Sequence, residues 1–566
     1  MRRRRNVTHH RLGPRLGPLV MPDWLLVAVV CLVPIGFMVV RSFARVNPVT
    51  LDVELTGTVK AYRTLLSPVY RPVALRSLIV SALTVVLCLV IGTPAALALS
   101  RLKGSARSTA LIAVMLPSFV SFTVRILAWQ GVLATGGPVE SITGAQLLYR
   151  PPAVLLGMIT AYVPLFILPA YVALTRVPIG MIEAAADLGA ASRRRLLRIV
   201  LPLALPGIVT GAAIVGVLAV GEFIVPAVLG GGKVLLLGNI LAERGAGRDQ
   251  PLGGAITTFT LVTFAAGAAV VLIIRRRSVS AVAGAPMRDR GRVATAMLTL
   301  VLVVLYTPLL FLVVASVNRN PASTGWRGFS TRWYHAAFAD PALRRALSVS
   351  VRLAVSSALV AVAVGTAAAV AARHSRWLRR VNALLATVRV ATPEIIIATG
   401  LGAALPVAGV AFGFRPMLVA HIAYLSAYVL LIVGARASGA DPTIEEAAMD
   451  LGASRSRVLR KIVLPDLRPA VVSSGLLTMA FSFDDVALSL ALRGPKDTTV
   501  PIYIFSAVQR RVSPSIHAIG AVIIAAGVTV FAVAFAVNRA IADGGARTPV
   551  GTPMRTATGA PAQARP

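Results

Sequence analysis

Four carboxylates stand in long apolar runs of the chain: Glu222 in "VGEFIVPAVLGGGKVLLLGNIL", Glu394 in "VATPEIIIATG", and Asp484 and Asp485 in "FSFDDVALSLAL". A charge at the centre of a bilayer costs at least about 2.5 to 3.5 kcal/mol on insertion scales, so each asks for a partner, a polar path or a proton-transfer role. Opposed carboxylates suit a cation, above all a flexible dication. They would equally serve a proton-coupled step. Asp484 lies about 100° around a helix from Asp485, so the two face differently, and Asp484 is free to pair with an arginine or a backbone donor. Arg125 in "FTVRILAW" and Arg389 would repel a cation unless paired, which makes structural pairing their expected use. Trp129 and Tyr424 have ring faces that could bind a cation, although apolar packing is the ordinary role of such residues.

Other chemistry is poorly supplied. The two cysteines, Cys31 and Cys88, sit in apolar runs without CxxC or His–Cys spacing, and His421 is a lone histidine that reads as packing. "GGGKV", residues 230 to 234, is a failed phosphate loop: Ala227 replaces its first glycine, and Val234 replaces the Ser or Thr that would bind magnesium. No catalytic residue, metal site or cofactor is expected in the chain.

The elements that must hold these residues are membrane helices. Of 566 residues, 57% are hydrophobic and 14% charged, and mean hydropathy is +0.80. Runs of about 20 apolar residues recur, each long enough to cross the hydrocarbon core. Twelve spans are expected, centred near Leu32, Val86, Met115, Phe166, Ile214, Phe264, Val303, Ala358, Ile396, Tyr424, Leu476 and Ile524. The net charge of +36 comes from Lys and Arg lying between these runs and concentrated on one side. That pattern reports orientation, with both termini cytoplasmic, and not nucleic-acid binding.

The charged, small-residue stretch 276–292 divides the chain. A basic segment 1–22 precedes the first half, 23–275 (core about 77–275), and the second half is 293–540 (core about 346–540). A Gly-, Pro- and Thr-rich tail, 541–566, is expected to be disordered. Six spans per half return the chain to its starting side, so the repeats are parallel, about an axis along the membrane normal.

One polar stretch occurs in both halves. "EAAADLGAASRRRLLRIVLP" begins at Glu183 and "EAAMDLGASRSRVLRKIVLP" at Glu446, 263 residues later. Each reads as a short helix ended by a glycine in the left-handed conformation, Gly189 or Gly452, then a second helix leading through proline into a span. The same offset carries Glu222 onto Asp485, placing one carboxylate of each half at equivalent points facing across the repeat axis.

Both stretches resemble the EAA motif of the permease subunits of bacterial ABC importers: E-A-A, three residues, G, nine residues, I-x-L-P. The resemblance implies an all-α membrane protein of two six-helix permease repeats (MetI-like), with alternating access driven by ATP. In that family the helix before the glycine docks in a groove of the cytoplasmic ATPase. Glu183, Ala184, Ala185 and Gly189, with Glu446, Ala447, Ala448 and Gly452, would then form two docking sites for two copies of an ATPase, and both halves of a permease pair would be fused. ATP and magnesium would be bound by those partners. An extracytoplasmic binding protein would deliver cargo to the outer loops around 43–76 and 318–344. The implied location is the bacterial inner membrane.

The acidic segments also resemble polyamine permeases. The GEF-x-x-P-x-x-x-GG pattern is matched by Gly221, Glu222, Phe223, Pro226, Gly230 and Gly231, and S-x-DD followed by GP by Ser482, Asp484, Asp485, Gly494 and Pro495. "WRGFSTRWY", Trp326 to Tyr334, matches an outer loop of the same group. This implies a small cationic cargo, spermidine or putrescine, with Glu222, Asp484, Asp485 and Glu394 along its path. Fusion departs from the usual two-chain arrangement and is familiar among ferric-iron and thiamine importers, so those cargoes stay open. A proton-coupled secondary transporter with twelve spans is the alternative from another class.

Overall fold

The computed structural model describes residues 18–545 apart from 48, 51, 246, 248, 278–291, 321–324, 374, 440 and 511–513. The basic N-terminal stretch before 18, nearly all of the dividing stretch and the tail beyond 545 lie outside the described residues. Ten helices among those described are long and apolar enough to cross a membrane. In the first half they are Pro18–Arg41, Arg71–Arg101, Pro151–Leu174, Ser192–Val220 and Gln250–Ile274. In the second they are Arg292–Ser316, Pro341–Ala372, Phe414–Gly439, Arg455–Asp484 and Pro514–Val533.

The spans expected near Met115 and Ile396 are each broken. Gly104–Phe119 meets Phe122–Thr143 at 91°, and Arg376–Ala391 meets Glu394–Val407 at 89°, giving up to twelve spans if each bent pair counts as one. Proline explains the second break directly: Thr392 precedes Pro393 and is extended (φ −82°, ψ 125°), as steric conflict with a following proline ring favours. At the first, Val120 is likewise extended, and the Ser121 hydroxyl accepts the Val124 N–H as a helix cap.

From Pro151 onward the 263-residue offset holds element by element, while the earlier elements of the two halves, such as Arg71–Arg101 and Pro341–Ala372, correspond at a longer offset. Ile179–Asp187 is matched by Pro442–Asp450, Leu201–Val220 by Leu464–Asp484, and Ile224–Leu229 by Ala487–Leu492. Even the wide-turn segments Leu196–Val200 and Leu459–Val463 correspond. Pro202 and Pro465 follow them closely. A proline ring conflicts with the carbonyl four residues back, and a widened turn relieves that conflict without ending the helix. Tertiary hydrogen bonds repeat too. Ser77 Oγ accepts the Leu237 N–H at 2.8 Å, and Ser350 Oγ accepts the Val500 N–H at 2.8 Å.

The first helix of each half packs into the other half. From Pro18–Arg41, Trp24 Nε1 donates to Asn382 Oδ1 at 2.8 Å, and the Asp23 carboxylate meets Arg389 at 2.9 Å with both side chains fully buried. Arg389 also donates to the Ala423 carbonyl at 2.8 Å and Ser426 Oγ at 2.7 Å. The structural pairing expected of Arg389 is thus present, with a partner 366 residues away. Reciprocally, Tyr306 of Arg292–Ser316 donates to the Ala113 carbonyl at 3.0 Å. One apolar core consequently runs through both halves.

Candidate functional site

The repeated polar stretches form two matched surface helices. Gly189 has φ +77° and Gly452 φ +83°, and each closes a turn in which its own N–H and the next residue's N–H return to the helix. Gly189 N–H donates to the Ala186 carbonyl at 2.8 Å and Ala190 N–H to Ala185 at 2.9 Å. In the second copy Gly452 bonds Met449 at 2.9 Å and Ala453 bonds Ala448 at 3.0 Å. This satisfies carbonyls that the helix end would orphan, and it needs a residue able to adopt positive φ. Nothing lies within 4 Å of where a Cβ would sit on either glycine, so backbone conformation and not space selects it.

Glu183, Ala184, Glu446 and Ala447 are exposed, whereas Ala185 and Ala448 are half-buried. Beside them both helices present apolar side chains to the outside: Met181 and Leu188 are 51% and 88% exposed, and their 263-offset counterparts Ile444 and Leu451 are 58% and 89% exposed. Sequence reasoning passed over these four residues, although their shared offset was a readable signal. Inward anchoring differs between copies. Ile182 is buried in the first; at its counterpart Glu445 makes a buried ion pair with Arg373 at 2.6 Å. Asp441 caps the second helix, and its hydrogen bond from the Thr443 N–H holds its carboxyl below the usual range. The first copy has Pro178 there.

The four carboxylates gather where the halves meet. Glu222 caps Ile224–Leu229, with Oε1 accepting the Ile224 and Val225 N–H groups at 2.7 and 3.1 Å, while Oε2 accepts the Tyr162 hydroxyl. Asp485 does the equivalent for Ala487–Leu492, accepting the Leu488 and Ser489 N–H groups at 3.3 and 2.8 Å. Glu394 opens the second arm of its bent span, within electrostatic reach of Asp485, Asp484 and Glu222 and beside Tyr424. Asp484 accepts from Ser121 Oγ at 2.5 Å and from the Phe122 N–H at 2.7 Å, the backbone pairing open to it in the sequence. Arg125 is buried near Asp484 and Tyr162, and its Nε has no hydrogen-bond partner.

His421 does more than pack. Its Nε2 lies 3.2 Å from Asp485 Oδ2, and its Nδ1 is 2.8 Å from Ser482 Oγ, which also accepts the Ser357 hydroxyl at 2.8 Å. Its link to Asp485 spans two helices 64 positions apart and leaves no local trace in sequence. Trp129 and Tyr424 are both buried, and Tyr424 stacks edge-on with Tyr428 at 5.8 Å. Among the described residues no three His, Cys, Asp or Glu side chains converge closely enough to hold a metal.

Comparison with known proteins places this arrangement. Residues 88–284 and 361–544 each match the family described as the binding-protein-dependent transport system inner membrane component. The chain is 37% identical over 222 residues to the spermidine/putrescine transport system permease protein PotC of Haemophilus influenzae, covering 39% of this chain and 86% of that protein. It is 36% identical over 232 residues to the putrescine transport system permease protein PotI of Escherichia coli, covering 39% and 82%. It is 34% identical over 209 residues to PotB, a spermidine/putrescine transport system permease protein of H. influenzae, covering 35% and 73%. With the family matched once in each half, the chain belongs to the binding-protein-dependent transport system inner membrane components, the permeases of ABC importers.

Proposed function

We propose that this chain is a fused pair of permeases that conducts a small organic cation, a polyamine such as spermidine or putrescine, through an ATP-driven importer. The observation that carries the reading is the doubled surface helix: two copies at one offset, each with the same exposed Glu, Ala and apolar side chains, give two equivalent handles for two ATPase subunits. ATP and magnesium are bound by those subunits, a reading supported by the phosphate-loop mismatches at Ala227 and Val234. An extracytoplasmic binding protein delivers the cargo, and both termini lie on the ATPase side, as the placement of Lys and Arg favours. The cargo assignment is supported by Glu222, Glu394 and Asp485 at the junction and by the cargoes named for the relatives.

The test is uptake of labelled spermidine and putrescine into proteoliposomes holding the chain, its ATPase and its binding protein. ATP-dependent accumulation is expected. Transport of ferric iron or thiamine in their place would overturn the cargo, and accumulation by the chain alone on a proton gradient would overturn the ATP-driven mechanism.

Two variant pairs refine the test. Glu222→Gln and Asp485→Asn keep an acceptor for the N–H groups each carboxylate caps while removing the charge. Each is expected to lower polyamine uptake about tenfold, the ~1.4 kcal/mol scale of one charge-assisted hydrogen bond. Unchanged kinetics in the double variant would remove these carboxylates from the path. Gly189→Val and Gly452→Val force a β-branched residue into left-handed backbone at roughly 1–2 kcal/mol or more each, distorting both turns. ATP-driven uptake should be abolished while cargo still binds its delivery protein; normal uptake in both would contradict the docking role.

A further inference from the structure

We propose that Asp484 is a clasp between the two halves that keeps the path closed in this state, and not a ligand for the cargo. This rests on the importer reading above and deepens it. Asp484 ends the span Arg455–Asp484, and both of its carboxylate oxygens are committed across the junction: Oδ1 to Ser121 Oγ at 2.5 Å and Oδ2 to the Phe122 N–H at 2.7 Å. Those two donors sit at the break of the first half's bent span. They are also the start of its second arm, so the carboxylate holds that arm by its end.

The repeat supplies the comparison. The 263 offset carries Asp484 back to Gly221, and Gly221 lies against Pro393, at the break of the second half's bent span; a Cβ built on Gly221 would come to 3.0 Å from Pro393 Cγ. Each half therefore places the end of one span at the break of the other half's bent span. One of the two junctions is closed by charge-assisted hydrogen bonds, the other by apolar contact. Backbone at both breaks is already extended, so the arms can swing there without breaking helical hydrogen bonds.

A clasp that opens must not leave a bare buried charge, because an unpaired carboxylate in a dry site is strongly disfavoured. Arg125 answers this need. It stands one helical turn beyond Ser121, is buried, has an unpartnered Nε and lies within electrostatic reach of Asp484. Arg125 rides on the same arm, Phe122–Leu133, so the opening movement is a rotation of that arm that carries Ser121 and Phe122 off the carboxylate and brings the guanidinium onto it.

The experiment measures ATP hydrolysis by the full assembly, chain plus ATPase, in nanodiscs, with and without loaded binding protein. A clasp restrains the closed state, so Asp484→Ala and Ser121→Ala should each raise hydrolysis in the absence of binding protein several-fold, with Asp484→Asn between them and wild type. Arg125→Met should instead blunt stimulation by loaded binding protein. Unchanged basal hydrolysis in both Asp484→Ala and Ser121→Ala would overturn the clasp, as would a variant pattern in which only the cargo concentration for half-maximal uptake rises. Ser121→Ala removes the bond to Asp484 and the helix-capping bond from the Val124 N–H but no charge, so it reports even if Asp484→Ala fails to assemble. Failure of the wild-type chain to bind an ATPase would overturn the function itself, and failure to move polyamine only the cargo; the clasp is read from hydrolysis.

Discussion

A chain carrying Leu188→Asp together with Leu451→Asp is expected to reach the membrane folded and to lose its ATPase. Both leucines are almost fully exposed, 88% and 89%, so the fold does not depend on them. Burying a leucine in a partner's groove contributes about 1.5–3 kcal/mol. Losing even the lower figure at two sites weakens association about a hundredfold, and the aspartates add the cost of desolvating unpaired carboxylates. The measurement is co-purification of the ATPase with the detergent-solubilised chain, alongside a thermal melt of the chain alone. An unchanged melt with no retained ATPase is the expected pair of results; full retention would show that these helices do not carry the docking.

The largest loss of stability is expected from Arg389→Leu. It leaves the fully buried Asp23 without its counter-charge, held only by the Ser426 hydroxyl, and takes the guanidinium donor from the Ala423 carbonyl and Ser426 Oγ. Breaking a buried pair by removing one member costs about 3–5 kcal/mol. Replacing both, Asp23→Leu with Arg389→Leu, should be less damaging than either single change, because no charge is then left bare. Size-exclusion profiles and melting midpoints of the three variants check this. Single variants that melt with wild type would show that the pair contributes nothing to holding the first helix in place.

The repeat was legible in the sequence to an unusual depth. An offset taken from one pair of polar stretches reproduces helix boundaries, wide turns and the equivalence of Glu222 and Asp485 in the later part of each half, where the motif fixes register; the earlier helices follow a longer offset that it does not give. The breaks at Val120–Ser121 and Thr392–Pro393 were not anticipated: hydropathy continues across them, and only Pro393 and the Ser121 cap betray the change of direction. That Glu222 and Asp485 cap short helices was latent in their position just before "IVPAVL" and "ALSLAL". The partners of Arg389, Asp484 and His421 were not readable, since they come from other helices and depend on tertiary packing that no local pattern encodes.

The exchange of first helices has a consequence for how the protein is made. Asp23 leaves the ribosome 366 residues before the arginine that neutralises it, which at about 5–20 residues per second is a delay of roughly 20 to 70 s. During that interval the first helix carries an uncompensated acid, and it can shelter that acid only near the headgroups. The N-terminal half is thus not an autonomous product of early translation. Its leading helix waits at the edge of the bilayer, and the chain can seal its own interior only after synthesis has passed Arg389, well into the second half.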